Sequence, residues 1–407
     1  MDNSQSYWHI VWNQFRRNRW AVGGMWLAGF FFFVALCAPF LAGRLPFYWV
    51  DWAAPDGGET LTFPFWREFF APMDTRERML DIFFNYFLLF IPTIAIVRLL
   101  TGRFHRWLLT AAGVLLLIPF CLTQGRNQPL DYLQLREAGK GRGAFPLLPY
   151  GPYEQTFFAP KHAPSWSSPS SPAVAGTSEA HERYSYLGTD EVGRDVLARL
   201  IHGSRVSLAV GFISVGIATV IGLLIGSLAG YYGGWVDIVI SRCVEIMMCC
   251  PTFFLILTII AFLDQRSIVN IMLVIGLTGW TGTAMVIRGE ILKQRQLDYV
   301  TAVRSLGAGS GRIIFRHILP NAVAPVLVGI SFGIAGAIAA ESGLSFLGLG
   351  VATPTATWGE LLLEGRDSPL PNWWLSVFPG AAIFLSMTAY NLVGEGLRDA
   401  MDPKLRG

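Results

Sequence analysis

Eight stretches of this 407-residue chain are apolar over lengths that reach or approach what a bilayer requires: 20–42, 82–101, 106–123, 206–232, 237–263, 268–287, 323–340 and 375–397. A span needs about 20 predominantly apolar residues, because the hydrocarbon core is about 30 Å thick. Inside that core every backbone N–H and C=O must be satisfied without water, which leaves only helices or closed barrels. The runs lack sustained alternation of apolar and polar residues, so they read as helices rather than barrel strands. The expected fold class is therefore all-α, a polytopic helical membrane protein. Composition agrees, with 53% hydrophobic and 14% charged residues and a mean hydropathy of +0.45. So much apolar surface needs a solvent other than water.

Short loops give the expected orientation. Arg16, Arg17 and Arg19 precede the first run and place the N-terminus in the cytoplasm. Alternation then puts connectors 98–106, 233–236 and 288–322 on the same side, with Arg98, Arg103 and Arg106 in the first and Arg288, Lys293, Arg295, Arg304, Arg312 and Arg316 in the third. The tail, with Arg398, Lys404 and Arg406, returns to the cytoplasm after eight spans. The first run is too long for a cleaved signal and reads as a signal anchor. Asn85 and Pro92 interrupt the second run, so 82–101 and 106–123 are two spans or a re-entrant pair. From Thr123 to Glu182 the composition turns to Pro, Gly and Ser, an outward-facing and partly irregular loop.

Several chemistries are excluded or reduced. A net charge of +3 gives no basic field for nucleic acid. Cys37, Cys121, Cys243, Cys249 and Cys250 lie in or beside apolar runs and suit neither disulfides nor zinc. Gly139-Lys140 lacks the rest of a phosphate-binding loop, so the chain has no ATP site of its own. No His-Glu-x-x-His or Gly-x-Ser-x-Gly pattern is present. Asp190, Arg194, Asp195 and Arg199 read as a solvated interfacial helix capped by Thr189 or Asp190. Glu341 reads as hydrated at the outward end of a span, and Asp237, Arg242 and Glu245 as charges at the inner interface.

One loop has a pattern of its own. A helix begun at Asp298, with its carboxylate as cap, places Tyr299, Ala302, Val303 and Leu306 on one side before Gly307, Gly309 and Gly311 end it. Periodicity alone allows either an interfacial helix or a docking helix for a soluble partner.

The loop resembles the cytoplasmic motif of ATP-driven (ABC) importer permeases, in Thr301-Ala302-Val303, Gly307 and His317-Ile318-Leu319-Pro320. It departs from that motif at Thr301, Val303 and His317. The chain is also similar to the C-type subunit of dipeptide and oligopeptide permeases in Leu187–Arg205, Leu344–Gly350 with Trp358-Gly359, Phe378-Pro379-Gly380, Asn391-Leu392 and Gly396–Pro403. The resemblance covers 183–407 and the first span. It implies a six-helix core of the type I importer kind, with an extra hydrophobic helix pair inserted. The implied layout is 1–45 for the N-terminus and first span, 46–182 for the atypical insert, and 183–407 for the core with its loop 288–322.

It further implies a multi-pass protein of the bacterial inner membrane that is not an enzyme and forms half of a path for short peptides. Implied partners are a second permease subunit in a heterodimer, two cytoplasmic ATPase subunits or domains that bind the ATP, and an extracytoplasmic substrate-binding protein. No cofactor is expected in this chain. Asp298, Tyr299, Thr301, Ala302, Val303, Leu306 and Gly307 are the implied ATPase-docking residues. A passive channel or scaffold, and an intramembrane enzyme, are the alternatives from other classes.

Overall fold

The computed structural model describes residues 7–52, 59–72, 78–101, 113–119, 131–154, 161–166, 185–263 and 266–402. In chain order its main elements are α1 (Tyr7–Arg17), α2 (Arg19–Leu41), β1 (Tyr48–Asp51), β2 (Thr60–Thr62), α3 (Pro64–Phe70), α4 (Arg78–Thr101), α5 (Tyr132–Glu137) and β3 (Gly141–Ala144). They continue with α6 (Val196–Tyr232), α7 (Gly234–Cys249), α8 (Thr252–Ala261), α9 (Ile268–Thr278), α10 (Trp280–Gln294), α11 (Asp298–Ser305), α12 (Ala324–Phe346), α13 (Trp358–Arg366) and α14 (Trp374–Met401).

Among the described residues six helical stretches are long and apolar enough to cross a bilayer: Arg19–Leu41, Arg78–Ala95, Val196–Tyr232, Ile268–Gln294, Ala324–Phe346 and Trp374–Met401. The run expected at 237–263 is instead a pair, α7 and α8, bent by 80°. The break falls at Cys250-Pro251, where proline cannot donate to the preceding turn and its ring disfavours helix in the residue before it. Of the run expected at 106–123, only 113–119 lies within the described residues, and it is helical.

The chain divides into two compact units. One comprises Met1–Phe30, Ala209–Val351 and Ala381–Gly407, the other Phe31–Leu208 and Ala352–Gly380. In the first, small residues set the packing. Gly222, Gly226 and Gly230 recur every fourth residue on α6 and meet α10 so closely that a Cβ on Gly226 would lie 2.4 Å from the Ala284 carbonyl oxygen. Such stripes let backbones approach where lipid supplies no hydrophobic drive.

The second unit holds most of the inserted chain. A three-stranded antiparallel sheet of order β2-β1-β3 pairs Trp49 with Thr62 on one side and Gly143 on the other. No strand was expected here, since three- and four-residue strands carry too little alternation to read. Phe65 and Phe69 are buried among Phe40, Phe47 and Phe70, with rings 4.7–5.9 Å apart in mostly edge-to-face pairs. Arg205 ties the insert to the first span: it donates to Asp81 Oδ1 and Asn85 Oδ1 at 2.8 Å and to the Ala35 and Leu36 carbonyls. Asn85 in turn donates to the Phe69 carbonyl at 2.8 Å. The polar residue that interrupts the second apolar run is thus one of the ties between α4 and its neighbours.

The expected solvated helix at Asp190–Arg199 is a buried ion network. Arg199 is fully buried and donates to Asp190, to Glu360 and, at 2.7 Å, to Glu364. Arg194 donates to Asp190 at 2.5 Å and to Glu364 at 3.0 Å. The cap of α6 is neither Thr189 nor Asp190 but Asp195, whose Oδ1 accepts from the Ala198 N–H at 2.8 Å. A local reading of alternating charges predicts solvent because it cannot see α13, more than 160 residues away, supplying the two glutamates. Glu341 is also buried rather than hydrated: α12 runs on to Phe346, and Ser345, one turn later, donates to its carboxylate at 2.9 Å.

Candidate functional site

The loop 288–322 is built on α10 and its packing against α6. Arg288, in the middle of α10, pairs with Asp237 of α7, Nη2 to Oδ2 at 2.7 Å. Arg295, just past α10, donates to the carbonyls of Gly230 and Tyr231 at 3.0 and 3.2 Å. Those carbonyls belong to the last turn of α6, where no helical partner remains for them. The loop is therefore fastened to a long span at its root. Arg242 and Glu245 pair with each other on an exposed face of α7.

Beyond that root α11 forms a single short helix. Its N-cap is Leu297, and Asp298 stands at the first helical position without a side-chain cap bond, contrary to the expected capping. Its acidic side chain still suits the positive end of the helix. Val300 is fully buried with Ile287, Ile291, Ile313 and Ile318, and Tyr299 and Val303 pack against the same cluster. Tyr299 donates to Gln294 Oε1 at 2.6 Å. The guanidinium of Arg304 lies 5.8 Å from the ring centre of Tyr231.

The residues that α11 and its C-cap leave exposed are Asp298, Thr301, Ala302, Arg304, Ser305 and Leu306. Leu306 is 86% exposed. Gly307 follows with φ +79°, the left-handed conformation that ends a helix at little cost only for glycine. The seven implied docking residues are thus split. Thr301, Ala302, Leu306 and Gly307, with Asp298, are presented outward; Tyr299 and Val303 hold the helix to its base. The periodicity that grouped Tyr299, Ala302, Val303 and Leu306 on one side missed Val300, which centres the buried face. The chain then passes through a π-helical turn, Ile313–Ile318, with Ile313, Ile314 and Ile318 buried, and Pro320 enters the short helix Leu319–Ala322 before α12.

A second feature of this unit had no counterpart in the sequence reading. A cleft of about 450 Å3 lies among α6, α8, α9, α10 and α12. Its walls carry hydroxyls from Ser214, Thr219, Thr252 and Thr283 and backbone at Gly282, Gly329 and Gly333, and no charged side chain lines it. Ser214 Oγ is buried without a hydrogen-bond partner. Bilayer-length helices, a charge-free cleft among them and a short helix held out from the end of one span define the class: a polytopic helical permease.

Comparisons place it within that class. Residues 222–407 match the family described as binding-protein-dependent transport system inner membrane component, and residues 6–55 match the N-terminal TM domain of oligopeptide transport permease C. The chain is 37% identical over 251 residues to the dipeptide transport system permease protein of Alkalihalophilus pseudofirmus, covering 61% of this chain and 81% of that one. It is 39% identical over 231 residues to the glutathione transport system permease protein of Pectobacterium atrosepticum (57% and 75% covered). It is 39% identical over 260 residues to the di/tripeptide transport system permease protein of Pseudomonas aeruginosa (64% and 82% covered). The chain belongs to the binding-protein-dependent ABC permeases of the dipeptide/oligopeptide kind, multi-pass membrane components rather than enzymes.

Proposed function

We propose that this permease forms half of the translocation path for short peptides and couples it, through α11, to a separate ATPase that binds the ATP. The observation that carries the coupling is the two-sidedness of α11: Val300 buried at its base and Leu306 86% exposed at its tip. An apolar side chain held in water on a rigid base suits a partner that covers it. With the loop fastened to α6 by Arg295 and Arg304, a displacement of α11 is passed to the end of a span rather than absorbed. The charge-free cleft serves as this chain's wall of the path. Hydroxyls and open backbone hydrogen-bond peptide groups without selecting the charge of a side chain, and the dipeptide and di/tripeptide names of two relatives favour short peptides over other solutes. The path is completed by a second permease subunit in a heterodimer, and an extracytoplasmic binding protein supplies the substrate. Both termini and the loop 288–322 face the cytoplasm.

Co-purification tests the coupling. Tagged Leu306→Asp, expressed with its ATPase partners, is expected to reach the membrane in normal amount yet retain at least about tenfold less ATPase than the unaltered chain, since a charge would be forced into a covered contact. Normal retention would remove α11 from the docking surface.

A further inference from the structure

The second unit contains a cavity that the transport reading leaves without a task. Its volume is about 430 Å3, within the range of small-molecule sites, and its walls come from the end of α2, from α3 and α4, from residues 151–154 and from α6. Leu45, Phe65, Phe69 and four prolines make much of the surface apolar. Into this lining reach three carboxyl groups, Glu68, Asp81 and Glu154, and two guanidinium groups, Arg44 and Arg205.

The charges do not balance. Asp81 is matched by Arg205 at 2.8 Å. Arg44 lies 3.5 Å from Glu68, and Glu154 accepts the Gly151 N–H at 3.0 Å. Glu68 and Glu154 therefore share one cation. Burial pushes both carboxyls above the usual carboxylate range, Arg44 opposing the shift in each case. Yet Glu68 keeps 32% of its side-chain surface open, and the space it opens onto is the cavity. Two half-buried acids sharing one cation, facing a largely apolar hollow, form a receptor for positive charge carried on an apolar body. An inorganic ion fits poorly. No three His, Cys, Asp or Glu side chains converge on a metal position among the described residues, and much of the wall offers carbon rather than oxygen.

We propose that this cavity binds an organic ammonium, its cationic group at Glu68 and Glu154 and its apolar part against Phe65, Phe69 and Leu45. The site goes beyond the transport reading and is independent of it. Glu68, Asp81 and Glu154 belong to the inserted chain, outside the segments 6–55 and 222–407 that match the family, while Arg44 and Leu45 come from the end of the first span and Arg205 from the foot of α6. Face-on contact with the phenylalanine rings adds to the attraction of the carboxylates. Two sources share this chemistry, a free arylalkylamine and the headgroup of an aminophospholipid.

Equilibrium binding of phenethylamine to the full-length chain in phosphatidylcholine nanodiscs tests the assignment, with 2-phenylethanol and 3-phenylpropionate as its neutral and anionic counterparts. Saturable binding of the amine, at least about tenfold tighter than the alcohol and with no binding of the carboxylate, is expected, because a charge-assisted hydrogen bond contributes roughly that factor. Glu154→Gln and Glu68→Gln are each expected to weaken the amine about tenfold while thermal stability stays within the range of the unaltered protein; such a loss in either variant supports the assignment. If phosphatidylethanolamine in the disc competes with the amine, and the competition vanishes in Glu154→Gln, the lipid headgroup is the source; if it does not compete, the source is a free amine. Absence of saturable binding, equal affinity for the alcohol, or unchanged affinity in both glutamine variants would overturn the proposal. None of these results bears on ATPase retention, so the two readings fail separately.

Discussion

Each of the two units of this chain is packed within itself, and the two use opposite means. In the unit that carries the coupling loop, closeness is achieved by removing side chains: Gly222, Gly226 and Gly230 bring α6 against α10, and the cleft beside them is free of charge. In the other unit closeness is achieved by burying ions, with Arg194 and Arg199 enclosed by Asp190, Glu360 and Glu364, and Arg205 by Asp81 and Asn85. The contrast teaches where each device works. Spans in lipid need shape more than polarity, whereas short segments joined across the sequence gain registry from partners that cannot be left unpaired.

The largest expected effect lies in the ion network. Arg199→Met leaves Asp190, Glu360 and Glu364 buried against a single guanidinium, and breaking such a pair costs about 3–5 kcal/mol. Loss of the purified, monodisperse protein is expected. Adding Asp190→Asn and Glu360→Gln to Arg199→Met should restore much of it, which separates the charge from the shape it fills. In the glycine-packed unit, Gly226→Val drives a side chain into the Ala284 carbonyl, where backbone must shift; overpacking of this kind costs about 1–3 kcal/mol. A lowered melting temperature is expected, with no rescue by any change of charge.

A pH titration sharpens the same comparison. Burial first, and Glu364 after it, push Glu360 up to about 8, while Arg199 opposes the shift. The folded state then holds a proton that the unfolded chain releases near 4.5, so this group's contribution to stability is present at low pH and declines as pH rises from about 5 through 8. Melting temperatures measured from pH 5 to 9 should fall along that interval, and Glu360→Gln should flatten the slope. The smallest effect belongs to Gly307→Ala. It places a Cβ at φ +79° in open surroundings and should cost about 1–2 kcal/mol locally, seen as faster amide exchange in 298–308 with no change in global melting.

Sequence alone carried the architecture far because bilayer-length apolar runs admit so few structures. The helix Val196–Tyr232 nevertheless begins ten residues before its apolar run at 206, since Arg199, His202 and Arg205 are polar and look unfit for the body of a span until their partners are known. The same blindness hid the network. Pairings between Arg199 and Glu360, or Arg205 and Asp81, join segments more than 120 residues apart, and no local pattern encodes them. Pro251 was visible, and its bend was foreseeable from proline's missing N–H. In the loop, the end of the helix at Gly307 was legible from its glycines, whereas eight residues are too few for periodicity to separate the exposed Ala302 and Leu306 from the buried Val300.

The most direct test of the coupling asks which face of α11 meets the ATPase. In a chain whose native cysteines are replaced, Leu306→Cys and Val300→Cys would each be crosslinked, in native membranes, to a cysteine-bearing ATPase partner. Crosslinking at 306 and none at 300 is the predicted result. Crosslinking at 300 but not at 306, or labelling of 306 by an impermeant reagent added outside intact cells, would contradict it.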